Sequence, residues 1–253
     1  MTQEQRRIYL LEKLLSERGE RAEIPGDTAA QRRLLRSLMN VRLPSPVSDE
    51  FLAVQDEYLQ YQTKMKGITE LSALSPVRDG VYLWQGDITT LRCDAIVNAA
   101  NSQMLGCFYP CHSCIDNCIH TYAGIQLRLA CAKIMAAQKH GEPTGRAKIT
   151  PAFNLPSKYV IHTVGPIIYG AVSKKDEELL ASCYRSCLEL AEMSGCRSIA
   201  FCCISTGEFR FPRELAAKIA VKTVEEYKKH SEIEVIFNVY KDEDLAVYKA
   251  LLG

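Results

Sequence analysis

Apolar residues recur at helical spacing through the first 75 positions of the chain, where Glu, Gln, Arg and Leu dominate. Two stretches interrupt the period, IPGDTA at 24–29 and LPSPVSD at 43–49, whose Pro, Gly, Ser and Asp punctuate and cap. Three helices are therefore predicted, near 3–18, 28–40 and 48–66. The following KGITELSALSPVRDG holds turn residues without a clear period, and a boundary near 70–78 divides a helical N-terminal extension (1–75) from a second unit (76–253). In that unit β-branched runs alternate with helical stripes. Strands are predicted at 81–85, 95–99, 147–152, 158–164, 198–205 and 234–240, and helices at 115–135, 176–193 and 212–229. Such alternation argues an α/β domain of three layers, α/β/α, with the sheet covered on both faces. Ligands of such sheets bind beyond the carboxyl ends of the strands, so the loops after strands are where chemistry is sought.

The 253 residues, 47% hydrophobic and 24% charged, are the mix of an ordinary folded protein, which excludes disorder, collagen and coiled coil. Lys and Arg total 31 against 30 Asp and Glu, and the net charge of +1 gives no strong field for nucleic acid or an anionic membrane. The opening MTQEQRRIYLLEKLL lacks a signal peptide's apolar core, and nowhere do ~18 apolar residues run together, so a cytoplasmic protein is expected. Its 11 cysteines are then expected to be reduced, some packed and some binding metal.

The strongest local signal is GCFYPCHSC (106–114), where Cys107, His112 and Cys114 put two soft thiolates and an imidazole on a tight loop. Zn²⁺ takes that donor set readily. Three protein ligands leave a fourth position open, the pattern of a catalytic or substrate-binding zinc, although Cys111 could fill it. Cys107, Cys111, Cys114 and Cys118 also suit one apolar helical stripe, and redox-active thiols are a third reading; Gly106 and Pro110 argue against a helix. Cys131, Cys183 and Cys187 fall on helix core stripes and Cys202 and Cys203 inside a strand, where packing accounts for them. After the loop, Asp116 and His120 lie four apart on the helix face opposite the apolar stripe and are expected to face the loop. Beside a metal, a general-base or ligand-orienting role suits them better than a partner for the helix dipole.

In ISTGEFRFPREL (204–215) a strand ends in Ser205, Thr206 and Gly207 and a helix starts after Pro212, so backbone N–H groups there suit a phosphate or pyrophosphate. Phe209 and Phe211, if exposed, could stack on a ribose or base. In QGDITTL (85–91) Asp87 could accept from an amine or hydroxyl, and in NAAN (98–101) Asn98 and Asn101 could bond a sugar; each also suits an ordinary turn. The phosphate motif of a dinucleotide fold, G-x-G-x-x-G, is missing from these loops.

Taken in order, QGDIT, DAIVNAAN, a ligand-bearing loop ending IDNCIH, HTVGP and STGEFRFP resemble the macrodomain family of ADP-ribose-binding modules and hydrolases, over roughly residues 80–250. The resemblance implies a three-layer α/β/α sandwich with a mixed central sheet. Where common catalytic macrodomains carry a glycine-rich loop, GCFYPCHSCIDNCIH is similar to a zinc-dependent subgroup associated with reversal of protein ADP-ribosylation. By position, Cys107, His112 and Cys114 match that subgroup's zinc ligands, while Asn117 replaces the usual Gly beside Asp116 and no role carries over to Cys111 or Cys118. The helical extension also resembles the subgroup, whose bacterial members are linked to a sirtuin-like transferase and a lipoylated carrier protein.

The resemblance further implies that Asp87, helped by the Ile88 backbone, binds the adenine amine and that Asn101 and Asp116 face the distal ribose. The backbone of Ser205, Thr206, Gly207, Glu208 and Phe209 would hold the pyrophosphate, with Phe209 near the distal ribose. Tyr240 would pack on the adenine, if it is not a core aromatic at a strand end. The implied activity is zinc-dependent hydrolysis of the bond between the distal ribose C1″ and a protein side chain, an Asp or Glu ester, which releases ADP-ribose from a mono-ADP-ribosylated protein. Zinc could fix a ribose hydroxyl or lower the pKa of a water towards ~7, with Asp116 orienting or deprotonating that water. The alternative is a reader that binds ADP-ribose without turnover, its zinc closed by a fourth ligand.

Overall fold

The computed structural model describes residues 1–19 and 23–253. The extension forms α1 (Gln3–Glu17), α2 (Thr28–Val41) and α3 (Asp49–Lys66). Each starts at a capping residue, Thr2, Asp27 or Ser48, whose side-chain oxygen accepts a first-turn N–H. Their apolar faces enclose a small core that includes Leu10, Leu14, Leu35, Phe51 and Leu59, and Ile125 from outside the extension completes it.

Beyond the extension the chain runs through β1 (Thr69–Glu70), β2 (Pro76–Arg78), β3 (Val81–Gln85), β4 (Leu91–Arg92), β5 (Ala95–Ala99), α4 (Ile115–Ala123) and α5 (Ile125–Gln138). It continues through β6 (Ala147–Pro151), β7 (Tyr159–Thr163), α6 (Lys174–Met193), β8 (Ser198–Phe201), α7 (Arg213–Lys228), β9 (Glu234–Val239) and α8 (Asp242–Leu252). β1 and β4 pair as a two-stranded parallel ribbon, and the other strands form one seven-stranded sheet in the order β2-β3-β9-β8-β5-β7-β6. Its inner strands are parallel, whereas the edge strands β2 and β6 run antiparallel to their neighbours, so the sheet is mixed. Ile96, Val97, Val160, Ile161, Ile199, Val235 and Ile236 are fully buried, as inner strands covered on both faces require.

From β5 the chain steps towards β7, whereas from β7 through α6 to β8 and through α7 to β9 it steps the other way. The parallel crossovers from β7 through α6 to β8 and from β8 through α7 to β9 run in one direction, and right-handed crossovers in one direction put their helices on one face. Accordingly α6, α7 and α8 pack together over one face and α4 and α5 over the other. The crevice where the direction reverses opens between the carboxyl ends of β5 and β8.

Several features differ from the sequence reading, the two-residue strands β1 and β4 among them. The helix expected over 115–135 is two, because Gly124 at φ +92° and ψ 172° turns the chain between α4 and α5 while the apolar stripe Ile119, Ala123, Leu127 and Cys131 runs on through the break. The strand expected over 198–205 ends at Phe201, which leaves Cys202 and Cys203 just past it. β2 and α8 are additional elements; β2 is an exposed three-residue edge with no apolar alternation.

The break at Gly124 joins the two parts of the molecule. α5 has no side-chain cap of its own, and the buried Gln55 of α3 supplies one, its Oε1 accepting from the Ile125 N–H at 3.0 Å while its Nε2 donates to Gln126 Oε1 at 2.7 Å. A Cβ at Gly124 would meet those same two amides at 2.6 and 2.7 Å, in a backbone region that is essentially reserved for glycine. Gly124→Ala is expected to cost about 2–3 kcal/mol of stability, read as a lower urea midpoint. An unchanged midpoint would show that the Gln55 bridge does not constrain the turn.

Candidate active site

A cleft of about 980 Å³ occupies the crevice. Its walls come from the loops after β3, β5, β8 and β9, from the cysteine-bearing loop before α4, and from two residues of the extension, Arg36 and Lys66. A second cavity of about 830 Å³ lies at the opposite ends of the strands, where Asp94 is already paired with Lys158 at 2.6 Å and accepts from the Arg197 N–H at 2.8 Å. The first cleft, at the carboxyl ends of the strands, is where ligands of such sheets bind.

At the β3 end, Asp87 caps the turn that Ile88 opens. Its Oδ1 accepts from the Thr89 N–H at 3.0 Å and hydroxyl at 2.6 Å. Its Oδ2 accepts from Lys66 Nζ at 2.8 Å, and the same ammonium lies 3.2 Å from the Tyr122 ring centroid. Burial raises the Asp87 pKa, but the Lys66 and Thr89 bonds outweigh it and leave the carboxyl below its ordinary value. Tyr240, just past β9, is 76% exposed and lines the cleft, so it is not a core aromatic.

In the middle, the loop after β8 turns sharply, with Ser205 at φ +65° and Arg210 at φ +59°. Thr206 bonds back to the Cys203 carbonyl, and the Phe211 N–H returns to Ser205 O at 2.9 Å. Among the described residues nothing accepts from the N–H groups of Gly207, Glu208 and Phe209, all of which line the cleft. Phe209 is half-buried there, whereas Phe211 is buried in the core and cannot stack on a ligand. Cys202 and Cys203 also line the cleft.

At the β5 end lies the loop Gly106–Cys114, which is not helical, so the reading of its cysteines as one helical stripe falls. The ligand atoms of Cys107, His112 and Cys114 lie within 4.8 Å of one another, with Cys107 Sγ 3.5 Å from His112 Nδ1. The other ring nitrogen, Nε2, is 3.5 Å from Glu208 across the cleft. Cys114 is the N-cap of α4, its sulfur accepting from the Asn117 N–H at 3.4 Å. Burial pushes the Cys114 thiol up to about 12, and the Cys107 thiol beside it adds to the shift. A cation between them would reverse that balance. Cys111 stands apart from the group, its sulfur 3.4 Å from the Arg33 carbonyl of α2.

Asp116 and His120 are not on a solvent face; both are 5% exposed. Asp116 lines the cleft, and its Oδ1 accepts from Asn98 Nδ2 at 2.8 Å, its Oδ2 from Asn101 Nδ2 at 3.4 Å. Burial pushes its carboxyl up to about 6, against the Asn98 bond. Asn98, expected as a sugar-binding group, is fully buried beneath the cleft wall. Paired in register with His162, it also donates to His162 Nδ1 at 3.1 Å. His162 then carries its proton on Nε2, 2.9 Å from Thr150 Oγ1. His120, Cys131 and His162 form a second group with metal-ligating side chains, fully buried, but both His162 nitrogens are engaged in these bonds. Of the three, His162 supports Asp116 through Asn98, and His120 Nε2 lies 3.6 Å from Asp116 Oδ1.

With this geometry in view, the relatives can be weighed. The pattern of the Macro domain family matches residues 97–220. A protein named protein-ADP-ribose hydrolase from Treponema medium is 58% identical over 261 aligned residues that span all of both chains. One of that name from Staphylococcus aureus strain MRSA252 is 56% identical over 220 residues, 85% of this chain and 82% of the relative. The chain belongs to the macrodomain family. Its fold is similar to that of the Trypanosoma brucei macrodomain solved in complex with ADP-ribose, with a TM-score of 0.67 at 29% identity over 86% of this chain and 95% of the other.

The cleft thus brings together Asp87, Ile88, Asn101, Asp116, the loop from Ser205 to Phe209, Tyr240 and the Cys107, His112 and Cys114 group. Sequence reasoning missed Arg36, Lys66 and Tyr122, because a cation or tyrosine on an amphipathic helix carries no local signal of the cleft it borders. It also missed that Asn98 supports Asp116 from below. Asn98→Ala leaves both the Asp116 carboxylate and His162 Nδ1 without that donor, and is expected to destabilise this macrodomain by about 1–3 kcal/mol in urea unfolding. Parent-like stability would mean that water replaces the amide.

Proposed function

We propose that this macrodomain hydrolyses the bond between the distal ribose C1″ of ADP-ribose and an Asp or Glu side chain of a modified protein, with zinc held by Cys107, His112 and Cys114. The observation that carries the reading is the convergence of a three-ligand group and a buried carboxylate, Asp116, at one end of a cleft that offers Asp87 and Tyr240 elsewhere on its walls. The relatives named protein-ADP-ribose hydrolase support the activity.

The donor set fits zinc. Ligand atoms of a tetrahedral site with bonds of about 2.0–2.3 Å lie roughly 3.3–3.8 Å apart, and Cys107 Sγ and His112 Nδ1 are 3.5 Å apart before any metal draws them together. Cys111, which would close the site, is turned to α2 instead, and this favours an open fourth position over the closed site of a reader. Bound there, zinc supplies a Lewis acid at the distal-ribose end of the cleft.

The chain's own groups do the rest. The unpaired N–H groups of Gly207, Glu208 and Phe209 hold the pyrophosphate, and with it the position of the distal ribose. Asp87 and the Ile88 backbone take the adenine amine, and the exposed Tyr240 ring packs on the base. Asn101 bonds a distal-ribose hydroxyl and holds the second oxygen of Asp116. Asp116 orients a water and takes its proton as the water oxygen bonds to C1″; the C1″–O ester bond breaks and the target leaves as a carboxylate. The family resemblance adds a lipoylated carrier protein, modified by a sirtuin-like transferase, as the target.

The test is release of ADP-ribose from a glutamate-linked mono-ADP-ribosylated protein by as-purified enzyme, chelated enzyme and the Cys107→Ala and Asp116→Ala variants, with metal analysis of each. Release by the zinc-loaded parent alone is expected, with a loss of about a hundredfold or more in Asp116→Ala. Full activity after zinc removal would take zinc out of the reading. Binding of ADP-ribose with no release from any sample would turn it to a reader.

A further inference from the structure

The loop that carries Cys107, His112 and Cys114 holds itself together poorly. Among the described residues its one internal backbone bond runs from the His112 N–H to Tyr109 O at 3.2 Å, and it strains Cys111 into a positive φ of +55°. What fixes it comes from outside. Asn117 of α4, fully buried, donates from Nδ2 to Cys107 O at 3.3 Å and to Tyr109 O at 3.0 Å, which secures the first half. The second half is secured from the extension: Asn40 of α2 accepts the Cys111 N–H at 2.9 Å, and Arg36 donates to His112 O at 2.7 Å. The same Arg36 nitrogen is 2.9 Å from Asn117 Oδ1, so the two anchors are themselves joined. Asn40 also donates to Thr121 Oγ1 at 2.9 Å, which ties α2 to the helix that begins at Cys114. Arg36 borders the cleft, its guanidinium 3.6 Å from Cys118 Sγ.

We infer that Arg36 and Asn40 are positioning residues of the metal loop, and that through them α2 of the N-terminal extension is a working part of the zinc site. The inference rests on the reading of Cys107, His112 and Cys114 as zinc ligands. Neither residue supplies a ligand atom; each fixes the backbone on which His112 is presented. Groups of this kind typically set metal affinity by about 10–100-fold. Lysine keeps the charge at position 36, but its ammonium is a compact point charge on a flexible stem without the pre-organised guanidinium plane, so it holds His112 O and Asn117 Oδ1 less firmly.

The experiment measures zinc affinity of the full chain by competition with a chromophoric chelator, for the parent and for Arg36→Ala, Arg36→Lys and Asn40→Ala. The cobalt-substituted form of each gives the thiolate charge-transfer spectrum, and circular dichroism of the metal-free form checks folding. We expect metal-free variants with parent-like helix content, zinc affinity about tenfold or more weaker in Arg36→Ala and Asn40→Ala, Arg36→Lys in between, and an altered cobalt spectrum in all three. Should Arg36→Ala fail to fold, Arg36→Lys and Asn40→Ala decide the matter. Affinities within twofold of the parent in the folded variants overturn the inference and leave the zinc site standing. A parent that binds no zinc removes the zinc reading and this inference with it.

Discussion

A carboxylate taken out of water must be held by donors, and the site is organised around how Asp116 meets that requirement. Its donors are Asn98 at the end of β5 and Asn101 in the loop that follows. Asn98 reaches Asp116 because it is pinned from the other side by His162, its register partner on β7. The bond ties β5 to the first turn of α4, whose N-cap is Cys114. Asp116 stands two residues after Cys114, so the same bond lies at the exit of the loop that bears Cys107 and His112. The polar layer under the cleft and the thiolate group above it are one mechanical unit.

The extension belongs to that unit in a way its composition does not suggest. It has its own small apolar core, yet Ile125 of α5 completes that core and Gln55 of α3 caps α5. Arg128 of α5 returns the favour, donating to Met39 O at the end of α2 and to Leu105 O just before the metal loop, with its guanidinium over the Phe108 ring. α2 is thus gripped by α4 and α5 on the flank where the ligand loop lies. Among the described residues the loop has one internal backbone bond, and helices from two separate stretches of chain clamp it, which holds Cys107, His112 and Cys114 together.

Much of this was legible in the chain. Short apolar runs at 81–85 and 95–99 match β3 and β5 residue for residue, because inner strands leave little room for polar residues. The caps Asp27 and Ser48 stood out for the opposite reason, as polar residues at the edges of helical periods. What stayed hidden involves groups whose surroundings are non-local. Gly124 breaks a helix whose apolar stripe is continuous, so periodicity alone cannot see the break. Arg36 and Lys66 carry no local signal until folding sets them against a cleft built from residues that lie 20 (86 − 66) to 208 (244 − 36) positions away. Asn98 and Asn101, three apart in one motif, separate into a buried strut and a cleft group because alternate strand residues face opposite sides and the strand ends between them.

Charge explains why the extension's cations lie where they do. The cleft wall carries Asp87, Asp116, Glu208 and Asp244 against Arg36, Lys66, Arg213 and Lys241. Arg213 is paired with Asp244 at 2.6 Å and Lys66 with Asp87 at 2.8 Å. Among the described residues, Arg36 and Lys241 have no carboxylate partner. Both line the same cleft as the loop whose N–H groups are unpaired, so the wall is close to neutral overall while two of its cations are left without a carboxylate. Two thiolates in that cleft would cancel that charge. Zinc held there, as proposed, would restore it, and the Arg36 guanidinium, anchored on His112 O rather than on a carboxylate, keeps its charge available to the nearby sulfurs. The extension therefore supplies, beside the thiolates, a positive charge that the loop's own sequence does not contain.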